Sequence, residues 1–238
     1  MKKYISLFLA ALMLLSLLAG CGKKSDGGDG TRTLVLRNTA GLSTNDPHAT
    51  TNTHDYTVFE NIYEGLYDLN EATGGYDLRL AEKVEANDDA TEYIVTLKQG
   101  VKFHNGETMT ADDVVFSYAH AQKDAHMGSY CRPLDHVEKV DDYTVKIVMN
   151  QPFSPIGHML HKVKIMSKKG VEELGNDFGK VPNKVGTGPY MWDENNYNPL
   201  SSWSAVAFED YYRGKAKIEK ITWNVIADDT SAITALQN

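Results

Sequence analysis

The chain has 238 residues, of which 42% are hydrophobic and 24% charged, a composition typical of folded proteins and unlike that of intrinsically disordered ones. At roughly 100–200 residues per domain, this length suits one large domain or two small ones, each able to bury a core. Aspartate and glutamate outnumber lysine and arginine by 32 to 24, which gives a formal charge of −8. Since the phosphates of nucleic acids require a basic surface, this balance disfavours nucleic acid as a partner.

The N-terminus predicts a secretory signal. Lysines stand at positions 2 and 3, residues 4–18 are almost wholly apolar, and small residues precede Cys21. The segment Leu18–Cys21, Leu-Ala-Gly-Cys, resembles the lipobox of bacterial lipoproteins, in which the cysteine is acylated and becomes the first residue after cleavage. The apolar run is short for a membrane span, so a signal peptide at residues 1–20 is favoured over an uncleaved anchor. The expected location is the extracytoplasmic face of the cell membrane, with lipid on Cys21.

Residues 21–31 predict a flexible tether between this lipid and the folded part. After Cys21 the segment is rich in glycine, aspartate and lysine and contains no hydrophobic residue. The only other cysteine is Cys131, so a lipidated Cys21 leaves it without a disulfide partner. A lone cysteine of this kind is more often buried than reactive. The stability of the folded part is therefore expected to come from a hydrophobic core.

After the tether, hydrophobic periodicity predicts strands and helices in an irregular order. Leu34 and Leu36 alternate with polar residues in a first strand, and a run of turn residues follows at 41–47. A first helix is expected to begin with Thr53 as its cap and to end near Gly65, because apolar residues recur between them at three- and four-residue intervals.

The strongest helix pattern follows Thr110. The sequence Thr110-Ala111-Asp112-Asp113 has capping-box spacing, with aspartate in place of glutamate, and an apolar stripe comes after it. Alternation predicts further strands at 93–97, 143–149 and 221–226, and helical spacing returns at 170–179 and 231–238. Because strands and helices do not alternate strictly, the sequence favours an α+β (mixed α/β) fold over a doubly wound sheet.

The chain carries none of the common catalytic or nucleotide-binding motifs, such as Gly-x-Ser-x-Gly, Gly-x-Gly-x-x-Gly or Cys-x-x-Cys. His158 and His161 could share one side of a helix as metal ligands, but no second pair of ligands stands near them, so packing or solvated roles are favoured. The adjacent carboxylates at 88–89 and 112–113 are interpreted as a turn and a helix start. No cofactor or metal is expected.

Several short patterns are spread over the chain. Residues 80–118 contain LAE, the strand EYIVTLKQGVKF, the turn His104-Asn105-Gly106 and the helix start TADDVVFS, and further patterns are DPH at 46–48, NIYEGL at 61–66, GTGPY at 186–190 and DYYRGK at 210–215. Together they resemble the family-5 extracellular solute-binding proteins, the dipeptide, oligopeptide and nickel receptors of ABC importers. At the turn, members of that family usually have His-Asp-Gly.

The resemblance implies a type II-like periplasmic-binding-protein fold, in which two lobes close on a ligand and the first lobe is split in the sequence. On that map, residues 32–50 and 181–238 form lobe I, and residues 51–180 form an extra subdomain that the family adds to it. Members are longer than this chain, so the second lobe is expected to be absent from it.

The function that the resemblance implies is capture of a small solute, with a short peptide favoured, and delivery to an ABC permease without catalysis. Dipeptides, longer peptides, nickel, haem and oligosaccharides stay open as ligands. The ligand-facing segment is expected at the turn after the first strand, Thr39-Ala40-Gly41-Leu42, where small residues allow a ligand to approach the backbone. An ordinary strand-to-loop turn is the equally favoured alternative.

Two other functions stay open. A surface hydrolase of peptides or glycans would use residues such as His104, Asp112 and Asp113, although each has an expected local structural role. An adhesion or scaffold lipoprotein would bind no small molecule.

Overall fold

The computed structural model describes residues 32–237. In chain order the helices and strands are β1 (Thr33–Asn38), α1 (Thr53–Ile62), β2 (Tyr67–Asn70), β3 (Gly75–Leu78), β4 (Ala81–Ala86), β5 (Glu92–Leu97), α2 (Ala111–Lys123), β6 (Leu134–Asp141), β7 (Thr144–Met149), α3 (Gly157–Lys162), α4 (Lys168–Leu174), β8 (Tyr190–Asn198), β9 (Ser202–Ala207), β10 (Lys220–Val225) and α5 (Asp229–Gln237). Among these residues, no helix has the length and apolar character needed to cross a membrane.

The first sheet has the strand order β1-β10-β9-β8. Strand β1 runs parallel to β10, whereas β9 is antiparallel to both of its neighbours. One face of this sheet buries Trp192, Trp203 and Trp223 against helix α1. These side chains belong to the first of two hydrophobic cores, called the first core below. The proposed division at residue 50 assigns α1 to the extra subdomain, yet Val58 and Phe59 of this helix are fully buried in the first core. The division itself stays a prediction.

The second sheet is antiparallel, with the order β4-β5-β7-β6. Buried and more exposed residues alternate along β5 and β7. On the inner face of the sheet, Val95, Val145 and Ile147 are fully buried. Helix α2 covers this face with Val114 and Tyr118, which completes the second core. The remaining strands, β2 and β3, form a separate hairpin.

The predicted strands β1, β5, β7 and β10 and the predicted helices α1, α2 and α5 are all confirmed, with ends that differ by a few residues. At the start of α1 the cap is Asn52 rather than Thr53, because the Asn52 side chain accepts a hydrogen bond from the His54 N–H. The helix ends at Ile62, before Gly65. Thr110 is confirmed as the N-cap residue of α2.

The carboxyl end of α1 is enclosed by close backbone contacts. The Gly188 N–H donates to the Ile62 carbonyl at 2.9 Å, which caps the helix. A Cβ atom at Gly186 would lie 2.2 Å from the same carbonyl oxygen, and one at Gly188 would lie 2.5 Å from the oxygen of Asn61. Only glycine fits such an approach, so the GTGPY pattern is explained by packing against α1.

Immediately after α1, the buried carboxylate of Glu64 lies where the two cores meet. Its oxygens lie 2.8 Å from Arg79 Nε and accept hydrogen bonds from the hydroxyls of Tyr211 at 2.7 Å and Thr187 at 3.1 Å. Burial raises the pKa of the Glu64 carboxyl, and the Arg79 guanidinium opposes that shift. Because these partners come from three distant segments, this one side chain connects α1 to both sheets.

The loop after β1 is held by a second buried carboxylate, Asp55 of helix α1. Asp55 has no exposed surface and accepts hydrogen bonds from the backbone N–H and the hydroxyl of Ser43 and from the Thr50 hydroxyl at 2.8 Å. Between Ser43 and Thr50, the Asn45 carbonyl accepts hydrogen bonds from the Tyr63 hydroxyl at 2.9 Å and from the Asn183 side-chain amide at 3.1 Å. The loop therefore has one fixed shape in the folded protein.

Replacement of the fully buried Asp55 by alanine is expected to destabilise the protein by about 2–4 kcal/mol, because two donors on Ser43 and the buried hydroxyl of Thr50 lose their acceptor. Chemical denaturation of both variants is the measurement, with Asp88→Ala, at an exposed turn residue, as the control. The control should unfold at nearly the same denaturant concentration as the parent protein. An Asp55→Ala protein that is as stable as the control would show that this carboxylate does not hold the loop.

Candidate functional site at the carboxyl edge of the first sheet

The carboxyl ends of β1 and β10 lie side by side at one edge of the first sheet. Asn38 is paired with Val225, and the next N–H, that of Ile226, donates to the Asn38 carbonyl at 2.9 Å. The turn between β8 and β9 reaches the same edge, where the Val225 N–H donates to the Ser201 carbonyl. Ligands of open sheets with parallel strands bind at the carboxyl ends of those strands. This edge is therefore the candidate functional site.

The predicted segment Thr39-Ala40-Gly41-Leu42 lies at this edge. Thr39 is exposed, Ala40 and Gly41 are half-buried, and Leu42 is buried in the first core. The Leu42 N–H donates to the Pro199 carbonyl at 2.8 Å. A Cβ atom on Gly41 would lie only 2.5 Å from that oxygen, so the missing side chain accommodates the β8–β9 turn. Whether the segment also contacts a ligand stays a prediction.

The segment also contains three consecutive backbone donors. Within residues 32–237, the N–H groups of Thr39, Ala40 and Gly41 donate no hydrogen bond to another residue. Backbone N–H groups are strong donors, and those that the fold does not satisfy bind water or a ligand. An extended peptide, whose carbonyl oxygens and terminal carboxylate are acceptors, has the chemistry to pair with such a row.

Arg37, on β1, fixes the other side of the edge. Its Nε donates to the Ile226 carbonyl at 2.7 Å and its Nη2 to the Ala227 carbonyl at 3.0 Å. Nη2 also lies 2.7 Å from the Asp229 carboxylate at the start of α5. With these partners the guanidinium orders the connection from β10 to α5, and it is not a free cation for a ligand.

Two residues at this edge were not predicted. The Thr39 hydroxyl lies 3.0 Å from His54 Nε2, which places a half-buried imidazole from α1 beside the predicted segment. Asn38 is 5% exposed, and its side-chain Nδ2 has no hydrogen-bond partner among the described residues. For Asn38, the only signal in the sequence is a polar residue at the end of a predicted strand. The pairing of Thr39 with His54 leaves no signal in the sequence, because it depends on how α1 packs.

The residues of the alternative hydrolase function have separate structural roles. His104 Nε2 donates to the Gly188 carbonyl at 2.9 Å, and burial lowers the pKa of this imidazole to about 4. Asp112 forms an exposed ion pair with Lys139 at 2.7 Å. Asp113 accepts bonds from the N–H groups of Thr110 and Lys168, each at 2.9 Å, and burial raises the pKa of its carboxyl. They do not form a joint constellation for acid–base chemistry.

The two histidines considered as metal ligands lie on α3. His158 Nδ1 is 3.1 Å from the Tyr76 hydroxyl. His161 is buried and lies near the carboxylates of Glu60 and Asp68, so that one ligand atom of each of the three lies within 4.8 Å of the others. Cations of the protein already neutralise both carboxylates: Lys164 Nζ is 3.0 Å from Glu60, and Arg79 Nη2 is 3.1 Å from Asp68. This arrangement is an ion-pair network rather than a vacant metal site.

Of the two cysteines, only Cys131 is among the residues that the structure describes, and it lies away from this edge. Cys131 is a buried free thiol in the second core, and burial raises its pKa to about 12, so it stays protonated. The prediction of a buried cysteine is confirmed. Cys21, the predicted signal peptide and the tether lie outside the described residues.

A groove of about 400 Å³ adjoins the edge on the outer face of the first sheet, with a polar lining from β8, β9 and β10. Its side chains bind one another: the Ser204 and Thr222 hydroxyls are 2.9 Å apart, and Lys220 donates to Asp193 at 2.8 Å. These side chains of the groove therefore already bond to one another, whereas the N–H groups of residues 39–41 donate to no residue within 32–237.

Comparison with known proteins places the chain in a family. Residues 76–238 match the bacterial extracellular solute-binding proteins, family 5 Middle. The glutathione-binding protein GsiB of Salmonella paratyphi A is 31% identical over 97% of this chain and 44% of its own length. GsiB of Escherichia coli K12 is 32% identical over 82% of this chain and 38% of its own length. The chain thus spans less than half the length of these relatives.

Solved structures agree. MoaA from A. tumefaciens R10, in complex with mannopinic acid, superposes with a TM-score of 0.80 at 29% identity, over 87% of this chain and 43% of that one. The oligopeptide-binding protein AppA from Bacillus subtilis, in complex with a nonapeptide, superposes with a TM-score of 0.78 at 26% identity, also over 87% of this chain and 43% of that one. The predicted α+β periplasmic-binding-protein fold is confirmed, and the relatives are named as binding proteins rather than enzymes. The chain belongs to family 5 of the bacterial extracellular solute-binding proteins.

Proposed function

We propose that the protein captures a short peptide outside the cell and delivers it to the permease of an ABC importer, and that a lipid on Cys21 holds it at the membrane. It makes and breaks no covalent bond in its ligand. In this proposal residues 32–50 and 181–238 belong to lobe I, and residues 51–180 to an extra subdomain.

The observation that carries the proposal is the set of three N–H groups at Thr39, Ala40 and Gly41, which donate to no other residue that the structure describes. They precede Leu42, whose N–H is bound to Pro199, in the loop that Asp55 holds at Ser43 and Thr50. A peptide can be bound regardless of its sequence only through groups that every peptide has, namely its backbone and its termini. Donors held in place before binding lose little conformational freedom when the ligand arrives, which favours affinity. His54 beside Thr39 adds one side chain to this otherwise backbone-built surface.

The relatives support a peptide-like solute and leave its length open. Glutathione, named for GsiB, is a tripeptide with a free carboxylate at each end, and the nonapeptide in AppA is much longer. Mannopinic acid in MoaA is also a carboxylate. A row of N–H donors suits all three because each ligand offers carboxylate or carbonyl oxygens.

Two other functions have less support. The hydrolase would need His104, Asp112 and Asp113 to act together, yet each is engaged with separate structural partners. A scaffold lipoprotein would give no reason for an edge whose donors at residues 39–41 have no partner in the described part of the chain.

The ligand test uses the full-length protein, refolded after denaturation to remove any co-purified solute. Isothermal titration with glutathione, a tripeptide and a nonapeptide should detect binding of at least one of them. Thr39→Trp is expected to weaken that binding at least about tenfold, or about 1.4 kcal/mol, because the indole would cover the row of N–H groups. Thr73→Trp, at another exposed threonine in the β2–β3 turn, is the matched control and should bind like the parent protein.

Equal affinities for Thr39→Trp and Thr73→Trp would move the binding site away from this edge. Absence of binding by all three ligands would remove the peptide proposal, and cleavage of any of them would favour the hydrolase.

The lipid anchor is tested separately. The full-length protein, expressed in bacteria, is expected to partition into the detergent phase, because two acyl chains at about 0.8 kcal/mol per buried methylene give durable membrane attachment. Cys21→Ser should partition into the aqueous phase, whereas Cys131→Ser, which changes the buried thiol, should behave like the parent protein. Detergent partitioning of a signal-cleaved Cys21→Ser protein would contradict the anchor.

A further inference from the structure

The turn between β8 and β9 presents an apolar side chain at the candidate site. Leu200 is 79% exposed, and among the large hydrophobic residues that the structure describes only Leu236 is more exposed. The other residues of the turn, Asn198, Pro199 and Ser201, are of types common in turns, whereas leucine is not. An apolar side chain left in water contributes little to the stability of the fold. The packing of the described residues therefore does not account for a leucine at this position.

Hydrogen bonds fix the position of this turn. The Ser201 N–H donates to the Asn198 carbonyl at 3.1 Å, which closes a β-turn, and the Leu200 N–H donates to the Asn198 side-chain oxygen at 3.0 Å. The Pro199 carbonyl accepts from the Leu42 N–H, and the Ser201 carbonyl accepts from an N–H of β10, both at 2.8 Å. Because the backbone of Leu200 is held in this way, contact with a ligand costs it little conformational freedom.

Leu200 lies directly beside the three backbone donors at Thr39, Ala40 and Gly41. A Cβ atom on Gly41 would lie 3.2 Å from the Leu200 Cα atom, so the two backbones are in van der Waals contact. An extended peptide that pairs with a backbone segment lies about 4.8 Å from it, and its side chains point alternately to opposite sides. One of two successive side chains of such a ligand therefore comes to the side on which Leu200 lies.

We propose that Leu200 selects among peptide ligands, because it packs against an apolar side chain of a peptide whose main chain is bound by residues 39–41. This inference rests on the proposed function and deepens it, since the backbone donors accept any peptide and Leu200 adds a preference at one ligand position. Contact between two apolar side chains removes both from water, which is favourable. A polar side chain gains nothing there, because leucine offers it no hydrogen-bond partner.

The test is the preference of the full-length protein for trileucine over trialanine, two peptides with the same main chain and termini. After refolding to remove co-purified solute, isothermal titration should show that the parent protein binds trileucine at least about fivefold more tightly. Leu200→Ser, with a residue suited to turns, should bind trileucine about fivefold more weakly than the parent protein does. Its affinity for trialanine should stay within about twofold of the parent value.

Two further variants separate the leucine side chain from the turn that carries it. Leu200→Met keeps an apolar side chain of similar volume, so it should keep the preference for trileucine. Leu69→Ser, at a 44% exposed leucine of β2, is the matched control and should show the parental preference as well. All three variants should unfold at nearly the same denaturant concentration as the parent protein, because each changes an exposed side chain.

Four results would overturn the inference and leave the proposed function standing. They are equal affinities of the parent protein for the two tripeptides, the parental preference in Leu200→Ser, an equal loss of both affinities in that variant, and a loss of stability confined to it. The last would show that another segment of the protein covers Leu200. Absence of binding of both tripeptides by the parent protein would also overturn the inference, and the titrations with glutathione and the nonapeptide then decide whether the proposed function falls with it.

Discussion

One buried carboxylate, that of Glu64, is the contact on which the joining of the two sheets depends. It is 3% exposed, and Arg79, Thr187 and Tyr211 reach it from segments far apart in the sequence. Without Glu64, the buried hydroxyls of Thr187 and Tyr211 would lose the acceptor that they bind, and an unsatisfied buried polar group costs about 1–3 kcal/mol. Together they satisfy one another, and the position of helix α1 relative to both cores follows from this arrangement.

The candidate site depends on the same helix. The end of α1 is fixed by Glu64 and by the close approach of Gly188, and its first turn holds the loop after β1 through Asp55. A displacement of α1 would therefore reach the segment that begins at Thr39. Because buried carboxylates tolerate only a narrow range of geometries, the edge of the first sheet is stiff before any ligand arrives.

The sequence predicted the elements with strong periodicity, such as β5, β7 and α2, because one face of each is buried in a single core. It missed β6 and β8, whose residues are mostly exposed or polar and leave no alternating pattern. The position of Thr39-Ala40-Gly41-Leu42 at the end of β1 could be predicted from its turn residues. The contact of Gly41 with Pro199 could not, since contacts between distant residues leave no local signal.

Unfolding of Glu64→Ala, followed by two probes, tests most directly whether Glu64 joins the cores. All three tryptophans, including Trp203, lie in the first core, so fluorescence reports its unfolding, while amide exchange at Val95 and Val145 reports the second core. The parent protein and the exposed control Glu82→Ala should show coincident transitions, and Glu64→Ala should separate them, with both shifted to lower denaturant. Coincident transitions in Glu64→Ala, at the denaturant concentration of the control, would contradict the account.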